Sequence, residues 1–83
     1  MSTFVKMKEL IMKQPTVKDI MPQELQSFLK RYGFILKRVR GDHFIYAFPS
    51  PLKEFVLPIP MAKPVKPTYI DQIRNIIIEV EGE

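Results

Sequence analysis

At 83 residues the chain can build one small core and is too short for the paired domains of a dinucleotide-binding or barrel enzyme. Its 46% hydrophobic and 27% charged residues match a folded globular domain, while Cys 0 and His 1 exclude disulfides, thiolate nucleophiles, Cys-rich zinc sites and a two-histidine ribonuclease site within one chain. The formal net charge is +4, and residues 68–83 set Arg74 against Asp71, Glu79, Glu81 and Glu83, so the basic charge lies in the first four-fifths. Such asymmetry suits a polyanionic partner; a merely solvated basic face is the alternative.

The longest apolar run, Phe44 to Phe48, is far shorter than a membrane span, and the opening residues lack the unbroken apolar stretch of a signal peptide. The expectation is a soluble cytoplasmic protein with no membrane association.

Residues 1–21 read as an N-terminal extension. Phe4, Met7 and Ile11 would form one stripe of a short helix, Thr3 to Met7 would serve equally as a strand, and Pro15 ends either. Thr16 and Asp19 have the spacing of a small capping box whose helix would run straight into Pro22. The extension is expected to pack on the domain or to offer a surface to a partner.

The domain proper spans 22–83. Pro22 suits the first position of a helix, Leu25, Phe28, Leu29 and Tyr32 follow at helical spacing, and Gly33 supplies the stop. From Phe34 the period changes. Phe34 to Val39 and His43 to Phe48 are rich in aromatic and branched residues on either side of Arg40-Gly41-Asp42, which predicts a β-hairpin. Alternation puts Phe44, Tyr46 and Phe48 on one face, expected in the core, and His43, Ile45 and Ala47 on the other, which leaves His43 on an open face.

After the turn at Pro49-Ser50-Pro51, Glu54 to Ile59 forms a third strand. Pro58 and Pro60 blank one side of it, so it belongs at the sheet edge. Met61 to Pro67 is an extended basic linker, and Thr68 with Asp71 can cap a last helix whose stripe is Ile70, Ile73, Ile77 and Val80. Ile76 and Ile78 lie outside that stripe and mark either a protein interface or a wide core. The predicted fold is a small α+β domain, α-β-β-β-α, with two helices on one face of a three-stranded antiparallel sheet.

His43 is the side chain best able to transfer protons near neutral pH without special tuning; a solvated turn histidine is the alternative. Asp42 beside it would raise its pKa on contact, but neighbours within a strand point to opposite faces, which argues against a dyad. Lys37, Arg38 and Arg40 converge on the hairpin, with Lys53 on the following turn and Lys63 and Lys66 on the linker. With Gly41 of the turn, these form the expected phosphate-binding set, for RNA if the polyanion is a nucleic acid; a solvated basic face is the alternative. Tyr46 and the phenylalanines read as core rather than as base-stacking residues, because they share a face.

In order and spacing, residues 22–78 resemble the HicA (YcfA-like) family of toxins from bacterial toxin-antitoxin systems. The matching pieces are the helix ending in Arg31-Tyr32-Gly33-Phe34, the strand ending in basic residues, and Gly41-Asp42-His43-Phe44-Ile45-Tyr46 followed by Pro49. Phe55-Val56-Leu57-Pro58 and Lys66-Pro67-Thr68 leading into Ile70 and Ile73 complete them. The resemblance implies a fold like a double-stranded-RNA-binding domain, cleavage of messenger RNA that depends on the histidine of the Gly-x-His motif, here His43, and masking by a HicB-like antitoxin. Metal and cofactor are not expected. Two departures stand out: Asp42 occupies a position that is usually Ser, and residues 1–21 are additional. A non-catalytic RNA-binding module of the same fold and a protein-interaction domain are the competing readings.

Overall fold

The computed structural model describes residues 3–82. They form helices α1 (Thr3–Met12), α2 (Pro22–Tyr32) and α3 (Pro67–Glu81) and strands β1 (Ile35–Arg40), β2 (His43–Pro49) and β3 (Glu54–Pro60), in the order α1-α2-β1-β2-β3-α3. The strands make one antiparallel sheet with β2 in the centre. As expected, β3 lies at an edge, with Pro58 and Pro60 opposite Ile45 and His43.

A bulge in β1 decides what each face carries. Leu36 pairs with Tyr46 and Arg38 with Ile45, so Lys37 is the extra residue. Strict alternation would group Leu36 with Arg38 and Arg40; the extra residue shifts the phase instead. Leu36 and Val39 consequently lie on the face of Tyr46 and Phe44, while Arg38 and Arg40 lie on the face of Ile45 and His43.

The helices cover the first of these faces. Leu25, Phe28 and Leu29 from α2 and Ile70, Ile73 and Ile77 from α3 close over Tyr46, Leu57 and Ile59. Pro22 begins α2, and Gly33 ends it with φ 124, its N–H donating to the Leu29 carbonyl. A Cβ at Gly33 would lie 3.1 Å from the Phe48 ring, so close approach and backbone both require glycine there.

The ambiguous opening segment is a helix. Met7 and Ile11 are buried and Phe4 packs against the core, where its ring stacks on Phe28 at 5.0 Å. Phe28 in turn meets Tyr32 at 5.6 Å, and Tyr32 meets Phe48 at 5.7 Å, so a line of rings runs from α1 through α2 to β2. The helix α1 packs on α2 and α3 rather than on the sheet. With Ile20 also buried, residues 3–20 share one core with the rest of the domain.

Two expected caps are not made. No helix follows Thr16; its hydroxyl donates to the Asp71 carboxylate and accepts from the Arg74 guanidinium. Helix α3 starts at Pro67 after Lys66, which has no side-chain cap, and Asp71 is turned to Thr16 and Arg74 instead of back toward Thr68. Arg74 also donates to the carbonyls of Ile11 and Lys13, which the end of α1 leaves without helical partners. Long-range partners thus displaced the local caps. Of the surplus isoleucines, Ile76 is half-buried against the core and Ile78 is exposed.

Glu81 joins the three helices, accepting from Lys8 at 2.6 Å and from the Tyr32 hydroxyl at 2.7 Å. Hydrogen bonds from Lys8 and Tyr32 hold its carboxyl below the ordinary value, while burial first and Glu81 second push the Tyr32 phenol upward. Among the described residues no helix is long and apolar enough to cross a membrane.

Candidate functional site

The uncovered sheet face carries Arg38 and Arg40 from β1, His43 and Ile45 from β2, and Pro58 and Pro60 from β3. Arg40 and His43 are direct cross-strand partners, joined by Gly41 and Asp42 alone. Gly41 has φ 62 and Asp42 has no positive φ, the pattern of a type II′ turn with glycine at its first central position. A Cβ at Gly41 would meet nothing, so the requirement there comes from the backbone alone.

The turn changes the relation between Asp42 and His43. Asp42 lies outside the strand, so alternation does not send its side chain to the far face, and its Oδ1 approaches His43 Nδ1 to 3.1 Å. The expectation that neighbours would diverge fails because only one of the two is a strand residue. The Asp42 carbonyl also accepts from Met61 N–H at 2.8 Å, which fastens the turn to the chain leaving β3. Both side chains remain open to solvent, 56% exposed for His43 and 69% for Asp42.

Where Nδ1 carries its proton toward the Asp42 carboxylate, an uncharged ring turns the lone pair of Nε2 outward to solvent. This geometry can accept a proton from a ligand. Arg38 and Arg40 on the same face can neutralise an anion, and the Asp42 carboxylate offsets part of their charge. Among the described residues no three His, Asp or Glu side chains gather as a metal-ligand set.

The expected basic residues do not all converge. Arg38, Arg40 and Gly41 lie at the His43 end, and Lys37 occupies the bulge on β1. Lys63 is exposed two residues beyond Met61, near where the chain is tied to Asp42. Lys66 lies past buried Val65, whose N–H is bonded to Ile20, and immediately precedes α3. Lys53 is in the turn at the opposite end of β2, roughly 20 Å from His43 at 3.3 Å per strand residue. It pairs with Glu79 at 2.9 Å and lies 4.8 Å above the centre of the Phe55 ring. What the linear sequence grouped as one basic cluster is therefore two regions.

Two grooves lie away from the open face, one between α1 and α2 beside Phe4, Met7 and Phe28, the other between α2 and β1 beside Lys30, Leu36 and Tyr46. The Asp42 contact and the phase shift at Lys37 were not anticipated from the sequence. The two-residue Gly-Asp connection carried a signal for the first; nothing local announced the second. Compared with models of protein families, with curated proteins and with solved structures, the chain gives no match.

Proposed function

We propose that the chain is an RNA-cleaving toxin of the kind implied by its resemblance to the HicA family, acting without a metal through His43. The observation that carries this reading is an exposed histidine whose Nδ1 lies 3.1 Å from the Asp42 carboxylate, directly across the strand pair from Arg40. In RNA the 2′-hydroxyl is an internal nucleophile. His43 Nε2 removes its proton, the oxygen attacks the adjacent phosphorus, and the 5′-oxygen leaves with a proton returned by the imidazolium. A 2′,3′-cyclic phosphate and a 5′-hydroxyl result. Arg38 and Arg40 stabilise the charge that grows on the phosphorane oxygens, with Lys37 and Lys63 contributing longer-range attraction. A HicB-like antitoxin is the partner this reading calls for.

A specific observation favours a second reading, an RNA-binding module that does not cleave: the exposed Asp42 carboxylate stands where RNA phosphates would approach. Cleavage of RNA by purified protein, with product ends identified, separates the two. Cyclic phosphate ends that vanish in folded His43→Ala support catalysis; salt-sensitive binding without product supports the module. Asp42→Ser refines the choice. Lost cleavage with binding held supports Asp42 as a positioning residue, and tighter binding with faster cleavage shows that the carboxylate hinders RNA.

A further inference from the structure

We infer that β1 is a docking edge for an extended acidic strand of a partner protein. The two edges of the sheet differ in kind. On β3, Pro58 and Pro60 remove N–H donors from the outer side, whereas β1 contains no proline and every one of its six residues is exposed. Ile35, Leu36 and Val39 are 48%, 44% and 47% exposed, a large apolar content for an edge left in water. A groove between α2 and β1, lined in part by Lys30, Phe34, Leu36 and Tyr46, extends the helix-side surface beyond that edge.

Charge identifies the occupant. β1 carries Lys37, Arg38 and Arg40 and no acid. A second copy pairing antiparallel would bring these cations against their own counterparts, and like charges across a strand pair are destabilising. Basic side chains and a bulge are the usual devices that protect an edge from indiscriminate pairing, and both are present here. An acidic strand turns the same charges into attraction. The chain's own Glu79 and Glu81 are engaged with Lys53 and with Lys8 and Tyr32, so they do not fill this role.

The register also sets the pattern of the guest. Beyond the bulge, Arg38, Val39 and Arg40 alternate between open face and helix face, so a guest strand needs acids beside the two arginines and an apolar residue beside Val39. Backbone bonds would supply affinity and the alternation would supply specificity. This inference does not require RNA cleavage, because it rests on the edge alone.

The test uses the full chain, isotopically labelled, and a capped synthetic octapeptide alternating Glu and Val. Its controls are an alternating Lys-Val peptide and a peptide with the same four Glu and four Val segregated into blocks. The alternating acidic peptide should shift and slow the exchange of β1 amides. The double variant Arg38→Glu, Arg40→Glu should weaken that peptide by about tenfold or more and favour the Lys-Val peptide instead. Unchanged exchange of β1 amides at saturating peptide overturns the inference, as does equal binding of the segregated peptide, which would show charge attraction without strand addition.

Discussion

Two pairings of a carboxylate with a basic side chain show how one kind of contact takes two roles in this molecule. Asp71–Arg74 lies between α1 and α3, with the Arg74 side chain 9% exposed and its donors spread over Thr16 and the carbonyls of Ile11 and Lys13. Asp42–His43 lies at a hairpin tip, with both side chains more than half exposed to solvent. In the first pair the buried Arg74 spends its donors on holding the chain together. The second pair stays open to solvent, which is the property a site for an external ligand requires.

The sharpest way to break this contrast is to remove the basic side chain from each pair. His43→Ala should reduce RNA cleavage by roughly 10²- to 10⁴-fold while changing stability by less than about 0.5 kcal/mol, since the exposed ring contributes little to the core. Cleavage assays paired with chemical denaturation measure both. Wild-type cleavage by a folded His43→Ala protein would overturn the role assigned to the hairpin tip.

Arg74→Ala should do the reverse. Its loss strands the carbonyls at the end of α1 and removes the centre of the Thr16–Asp71 network, costing about 2–3 kcal/mol of unfolding free energy in a urea titration. Under conditions where the variant stays folded, cleavage should match wild type. Loss of activity without loss of stability would mean that the two regions are coupled.

The same contrast explains which features were legible in the sequence. The helix α2 was readable because its signals are local: Pro22 at the start, a stripe at helical spacing and Gly33 at the end. The hairpin, the proline-marked edge of β3 and the isoleucine stripe of α3 are local in the same sense. The clamp made by Arg74 was invisible because, apart from Asp71 one turn away, its partners are distant, with Thr16 separated from it by 58 positions, and no spacing rule connects them. The helix-or-strand ambiguity of Thr3 to Met7 is settled by packing of Phe4 and Met7 on α2 and α3, again a tertiary effect. At the candidate site, His43 and its open face followed from alternation, whereas the Asp42 contact depended on where the strand begins, and a shift of one residue there reverses the answer.

A third test sharpens the contrast through pH. The Asp71 carboxyl is held below its ordinary value of 3.8, chiefly by the Thr16 hydroxyl and then by Arg74; Glu81 is held below 4.5, first by Lys8 and then by Tyr32. Each group binds a proton more weakly in the folded than in the unfolded chain. Their stabilising contribution is therefore complete above those ordinary values and is lost as pH falls through the folded ones. Stability should decline below about pH 4.5, and Asp71→Asn should start lower at neutral pH and fall less steeply on acidification. An acid limb as steep in Asp71→Asn as in wild type would show that the pair contributes nothing to it.

The smallest expected effect separates the two basic regions from each other. Each phosphate neutralised on single-stranded RNA adds about −0.7 to the log–log slope of affinity against salt, so contacts from Lys37, Arg38, Arg40 and Lys63 give about −3. Arg40→Ala should make that slope shallower by about 0.7, because Arg40 stands directly opposite His43. Lys53→Ala should leave it unchanged, because that lysine is at the far end of the sheet and is already paired with Glu79. Binding measured across a salt series for the three proteins decides the matter. Equal shallowing in both variants would mean that RNA tracks the whole length of the sheet instead of the hairpin end. A flat dependence in wild type would remove the basic face from RNA recognition altogether, leaving the partner-strand role of β1 as the reason for its charge.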